Sequence, residues 1–174
     1  MAPDWWSSRR VQTLRMIVVR GTKKFLDRVG RPAGSWESST SLGDWYANVL
    51  FWRPQVVLFV NAKTLIPVLV SLAPASSVVS RMPVAFGELA RRLGAGQTSL
   101  DRELVGMAEH ALAKTASRSV LGVMNEFAHM AEHYRSERGT IDLVDLSMWL
   151  AQVPCSPLYG SHVSPDRALL AALE

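Results

Sequence analysis

The sequence predicts an α+β domain in which a small antiparallel sheet, made of the N-terminal strand and a three-stranded meander, packs against C-terminal helices. Three observations predict it. Segment 45–72 holds three β-prone apolar runs joined by spacers short enough to require antiparallel pairing. From residue 80 onward the apolar residues recur at intervals of three and four, the helical period. The chain of 174 residues is 48% hydrophobic, enough apolar material for one domain with a real core.

The elements follow in order. Residues 1–15 have no clean period and read as a flexible extension, with the domain proper at 16–174. If Trp5 and Trp6 dock on the domain, deleting that segment will lower thermal stability. Residues 16–20 (Met-Ile-Val-Val-Arg) are β-branched and form a first strand. Thr22 caps a helix over 23–29, with Phe25, Leu26 and Val29 on one side and Gly30 as the stop. Residues 31–41, rich in Pro, Gly and Ser, are a loop.

The meander comes next. Residues 45–52 are aromatic and β-prone, and Arg53-Pro54 is a turn. The continuous apolar run 55–60 has the pattern of a central strand covered on both faces. Asn61-Ala-Lys-Thr64 turns the chain back into a strand over 65–72. Pro67 lies in that strand and cannot donate to a ladder, which puts the strand at an edge or on a bulge.

Helices are predicted over 80–93, from Ser99 onward, over 119–134, over 141–153 with Asp142 as cap, and over 165–173 behind Ser164-Pro165-Asp166. Leu100, Leu104, Met107 and Ala111 share one face of the second of these. Residues 110–114 fit either its continuation or a short strand.

Charge and cysteine usage bound the function. The formal net charge is +4, and the excess lies in residues 1–53, which hold nine Lys/Arg against four Asp/Glu. That imbalance could suit an anionic partner, nucleic acid included, but at this modest charge a solvated basic surface is the better reading. One cysteine, Cys155, excludes an intrachain disulfide and a Cys₄ or Cys₂His₂ zinc site, and fits a cytoplasmic protein. The apolar stretch 56–79 is broken by Asn61, Lys63, Pro67 and Pro74, so no membrane span is expected. Ser8-Arg9-Arg10 resembles a twin-arginine signal, but Arg15 and Arg20 interrupt the apolar segment that should follow, so export is not expected.

The candidate site sits at the start of the 119–134 helix. Ser119 is the predicted cap, with Lys114 and Arg118 just before it and Asn125 two turns in. Free backbone N–H groups, the helix dipole and two cations suit a phosphate or carboxylate. Gly122 in the first turn lowers helix propensity by roughly 1 kcal/mol relative to Ala, which calls for close packing or a ligand nearby. Asp44, Trp45 and Asn48 form a polar–aromatic cluster that joins the candidate ligand-binding residues. There Trp45 and Tyr46 could stack bases while Arg20, Lys23 and Lys24 meet phosphates. The plainer reading of that cluster is a half-buried sheet edge.

Other motifs weigh less. His129-Met-Ala-Glu132-His133 matches the His-x-x-Glu-His pattern of inverted zinc proteases. It lacks a third ligand at recognisable spacing, since Glu126, Glu137 and His162 offer none, and reads better as the wet face of an amphipathic helix. Neither metal nor cofactor is expected. Ser161, His162, Asp166 and Cys155 invite a nucleophile reading, but Ser164 and Asp166 are helix-start residues and a lone cysteine is usually inert.

Several stretches together carry a resemblance. They are Met16-Ile-Val-Val-Arg20 with Thr22-Lys-Lys24, Asp44-Trp-Tyr-Ala-Asn48, Asn61-Ala-Lys-Thr64 and Lys114-Thr-x-x-Arg-Ser-Val-Leu-Gly-x-Met-Asn125. This pattern resembles a bacterial family of uncharacterised domains with a signature near Asn-Arg-Ser-Val-Leu-Gly-Ser-Met-Asn. Ser117 stands where that pattern has Asn, and Val123 where it has Ser. The resemblance implies a domain of that kind and brings no activity with it. The expected function is thus a non-catalytic cytoplasmic binding domain with an anion site at the 119–134 helix start. An enzyme acting on nucleic acid or a phosphorylated small molecule is the first alternative, with Lys114 and Arg118 holding phosphate and His129 or His133 as base. A homo-oligomer that buries the aromatic meander is the second.

Overall fold

The computed structural model describes residues 15–174. The extension predicted for 1–15, with Trp5 and Trp6, lies outside the described residues except for Arg15. The elements run β1 (Met16–Gly21), α1 (Lys23–Val29), β2 (Trp45–Leu50), β3 (Val56–Asn61), β4 (Pro67–Ser71), α2 (Val78–Arg92), α3 (Gln97–Gly106), β5 (Glu109–Lys114), α4 (Arg118–Arg138), α5 (Leu143–Ala151) and α6 (Pro165–Ala172).

The sheet is mixed, which corrects the antiparallel sheet predicted from sequence. Its order is β4-β3-β2-β1-β5. The meander β2-β3-β4 is antiparallel as its short turns require, but β1 is parallel to both β2 and β5. The reason is connection length. Helix α1 and the loop behind it carry the chain back to the starting edge before β2 begins, and α2 with α3 do the same before β5. Residues 110–114 thus belong to an edge strand.

Both faces of the sheet are covered. On one, Ile17, Val19, Trp45, Ala47, Val57 and Phe59 pack against α1, α2 and α3. On the other, Tyr46, Leu50, Val56, Leu58 and Val60 pack against α4 through Val120, Val123, Met124, Phe127 and Ala131. Strand β3 is buried along its whole length, as its unbroken apolar run predicts. Strand β4, which holds Pro67, is the other edge strand. Helix α5 covers it, and the Ser147 hydroxyl accepts from the Leu69 N–H at 3.0 Å, satisfying a donor that an edge would leave open.

Polar side chains finish what the ladders leave undone. Only the last part of β1 pairs with β2. Earlier in the strand, Ser39 Oγ and Ser38 Oγ accept from the Met16 and Val18 N–H groups, each at 2.8 Å. Asn61 is fully buried. Its amide donates to Leu42 O and Asp44 O, and its Oδ1 accepts from the Lys63 and Thr64 N–H groups and the Thr64 hydroxyl. That set clamps the β3–β4 turn, where Leu65 takes φ 60°.

Helix boundaries differ from expectation at three starts. Helix α4 begins at Arg118 and its cap is Ser117, whose Oγ accepts from the Val120 N–H at 3.3 Å; Ser119 is an exposed residue of the first turn. Ser and Asn cap equally well, so Ser117 does there what the resembled pattern's Asn would do. Helix α3 starts at Gln97 behind Gly96, not at Ser99, and α2 starts at Val78 after a 3₁₀ turn. Thr22 and Asp142 cap α1 and α5 as predicted.

Candidate functional site

The parallel pair β1–β5 sets the geometry of the site. The two strands end side by side, with Gly21 opposite Lys114. After β1 the chain enters α1 on one face of the sheet, and after β5 it enters α4 on the other. Where neighbouring parallel strands send their connections to opposite faces, a crevice opens beyond their carboxyl ends. Such a cleft is present, with a volume of about 830 Å³. Its walls are Gly21, Lys114 and Thr115 from the strand ends and Lys23 with residues 26–32 from α1 and its exit.

The cleft is basic. Lys23, Arg28, Arg31 and Lys114 line it against one carboxylate, Asp27, which already pairs with Lys23 at 2.6 Å. Arg28 Nη1 donates to Gln55 Oε1 at 2.8 Å. Lys114 Nζ and the Arg31 guanidinium make no hydrogen bond or ion pair among the described residues. Leu26, Val29 and Pro32 supply apolar wall. Gly21 makes the tight strand-to-helix passage possible, since a Cβ there would run into the Phe25 ring and the Leu26 side chain.

Beneath the strand ends lies a polar brace. Arg20 Nε donates to Asp44 Oδ2 at 2.6 Å and its Nη1 to Lys114 O at 3.3 Å. Asp44 Oδ1 accepts from Ser38 Oγ. The Thr22 hydroxyl donates to Asn48 Oδ1 at 2.7 Å while accepting from the Phe25 N–H. The Tyr46 hydroxyl accepts from the Ser117 N–H at 3.1 Å, which ties the start of α4 to β2.

The predicted site residues therefore divide. Lys114 lines the cleft. Asp44 and Asn48 sit near it as supports for Arg20 and Thr22. Trp45 is in the core, edge-on to Phe86 at 5.2 Å, and Tyr46 is buried too, so neither offers a ring face for stacking. Arg118, Ser119 and Asn125 are exposed on α4, away from its buried stripe, and do not line the cleft. Gly122 has open space around it, so close packing does not explain it.

The other motifs take up ordinary places. His133 Nε2 lies 3.2 Å from Glu137 Oε1, Glu132 pairs with Arg135, and both pairs are well exposed. No group of three His, Cys, Asp or Glu side chains is assembled among the described residues. Burial, and secondarily the charge of Glu126, pushes the Cys155 thiol up to about 11, far from a nucleophile's range.

Arg28 and Arg31 were missed as site residues. A signal was present in Gly21-Thr22-Lys23, where a strand ends in glycine and a capped helix follows at once.

Residues 18–168 match a family described as a domain of unknown function, DUF6933. The chain belongs to that family. No curated protein and no solved structure matches it. The DUF6933 match takes in every residue that lines the cleft and every residue of the brace. It also includes Ser117 and Val123, the two departures from the resembled signature. One caps α4 and the other is buried beneath it. In this DUF6933 domain those positions build the helix and leave the cleft to other residues.

Proposed function

We propose that this DUF6933 domain is a non-catalytic binding domain whose ligand carries a phosphate or carboxylate, seated at the carboxyl ends of β1 and β5. One observation carries the reading. A cleft of about 830 Å³ lies at the sheet's topological switch point, with Arg31 and Lys114 on its wall and no acceptor for either among the described residues. Apolar wall from Leu26, Val29 and Pro32 leaves room for an uncharged part of the ligand. The site is displaced from the α4 start that the sequence indicated, and keeps Lys114 from it.

The test is calorimetric titration with inorganic pyrophosphate and adenosine 5′-monophosphate at low ionic strength. Lys114→Ala and Arg31→Ala should each weaken binding about tenfold or more, the size of one lost charge-assisted hydrogen bond. Both should leave the melting temperature unchanged, since neither side chain supports the fold. Arg118→Ala should leave binding intact. If Arg118→Ala abolishes binding while Lys114→Ala and Arg31→Ala do not, the ligand sits on α4 and the cleft reading is wrong.

A further inference from the structure

The end of the sheet that opens the cleft continues as a basic, aromatic rim, and we infer that this rim binds single-stranded nucleic acid, with Phe51 as a stacking platform. The inference deepens the cleft reading and rests on it for one phosphate contact.

Strands β1, β2 and β5 run parallel, so their carboxyl ends and the β2–β3 turn share one end of the sheet. Phe51 stands at that turn with 55% of its surface exposed. It is flanked by cations, with Lys24 Nζ 5.2 Å and the Arg28 guanidinium 6.0 Å from the ring centroid. Arg28 is also a wall of the cleft, so ring and cleft adjoin. The next residues in the chain, Trp52 and Arg53, line a second hollow of about 360 Å³ together with Arg135 from α4. The Arg135 guanidinium lies 5.0 Å from the Trp52 ring; its Nη2 pairs with Glu132 at 2.7 Å, and its Nε has no hydrogen-bond partner among the described residues. Four cations, Lys114, Arg28, Arg53 and Arg135, thus lie along this end of the sheet with the exposed Phe51 ring among them.

That arrangement of cations around an exposed ring matches one polymer well. A single strand presents phosphates at regular intervals and bases free to leave their stack. Basic grooves that follow the backbone and exposed rings that take a base are how single strands are held without sequence preference. A duplex keeps its bases stacked and offers Phe51 nothing. The basic excess of residues 1–53 is in part this surface, since Lys24, Arg28 and Arg53 belong to both.

The experiment is fluorescence anisotropy of labelled mixed-sequence hexanucleotides, RNA and DNA in separate arms, with the full chain at 50 mM and 200 mM salt. A six-base-pair hairpin, phosphatidylserine vesicles and pyrophosphate serve as comparisons. The protein should bind single strands at 50 mM salt and bind the hairpin more weakly. With about four phosphates neutralised, affinity should fall about 50-fold at 200 mM. Phe51→Ala should weaken the single strand about fivefold or more, through lost stacking, without altering pyrophosphate binding or the melting temperature. Lys24→Ala combined with Arg53→Ala should flatten the salt dependence. Pyrophosphate binding with no hexanucleotide binding overturns the rim and leaves the cleft standing; absence of both overturns both. Equal affinity for hairpin and single strand with no effect of Phe51→Ala, or binding to vesicles alone, also overturns the inference.

Discussion

Replacing Glu103 should unfold this domain more readily than replacing any exposed acid, although nothing in the sequence marks it. Glu103 lies on α3 with 3% of its surface exposed. Its two carboxylate oxygens accept from the Ser41 N–H at 2.9 Å and the Leu42 N–H at 3.1 Å. Those amides belong to the loop that delivers Asp44 to Arg20 and Trp45 to the core. A hydrogen bond to a charged group contributes about 1.5–3 kcal/mol. In Glu103→Ala the Ser41 amide, on an exposed residue, regains water, while the Leu42 amide stays buried without an acceptor. The expected loss is about 3–4 kcal/mol. Glu103→Gln keeps one acceptor oxygen and should lose about half as much. In urea, with a slope of about 2 kcal/mol per molar, the Ala variant's midpoint should fall by about 1.5–2 M. Midpoints for both variants within about 0.3 M of the parent would refute the claim that this carboxylate holds the loop.

Three further outcomes are expected. Asn61→Ala removes the clamp on the β3–β4 turn and should lower unfolding free energy by about 3–5 kcal/mol; a loss under about 1 kcal/mol in urea melts would show that the turn holds itself. The Arg20–Asp44 pair is about a quarter exposed on each side, so a double-mutant cycle with Arg20→Met and Asp44→Asn should give a coupling near 1 kcal/mol, and zero coupling would make the 2.6 Å contact incidental. The Cys155 thiol, pushed up from 9.0 to about 11, keeps its proton in the folded chain while the unfolded chain releases it. Stability should therefore fall as pH rises from about 9 to about 11, by up to about 2.7 kcal/mol more in the parent than in Cys155→Ala, and parallel pH curves for the two would contradict this.

Much of the fold was legible because local patterns fixed it. The meander is set by spacers a few residues long, and Pro67 placed β4 at an edge before any neighbour was known. The partner of β1 was not legible. Arg20 reaches the Lys114 carbonyl across 94 residues of sequence, and no local signal specifies a pairing that two helical crossovers create. Strand β5 is a short edge strand, Glu-His-Ala-Leu-Ala-Lys, with little apolar alternation to separate it from a helix end. The in-or-out question for Trp45, Tyr46 and Phe51 failed for a related reason. Strand β2 is covered on both faces, so period-two alternation says nothing about which ring meets water, and the exposed one lies just past the strand's end.

The residues that build the fold and those that line the cleft are largely different ones. Asn61 closes a turn, Ser117 caps α4, Val123 fills the core and Asp44 braces Arg20: each lies in a stretch that carried the family resemblance, and each is occupied by the protein itself. Arg28 and Arg31 lie outside those stretches and line the cleft, while Lys23, Lys114 and Thr115 lie within them and line it too. A motif that is used up in holding two strand ends together still shapes the cleft, which lies where β1 and β5 end side by side and their connections part to opposite faces. On the proposed reading, ligand choice falls to the cations of α1 and its exit. Those side chains are free to vary without disturbing the brace beneath them, so the chemistry of this domain should be sought above the strand ends and not within the motif that makes the domain recognisable.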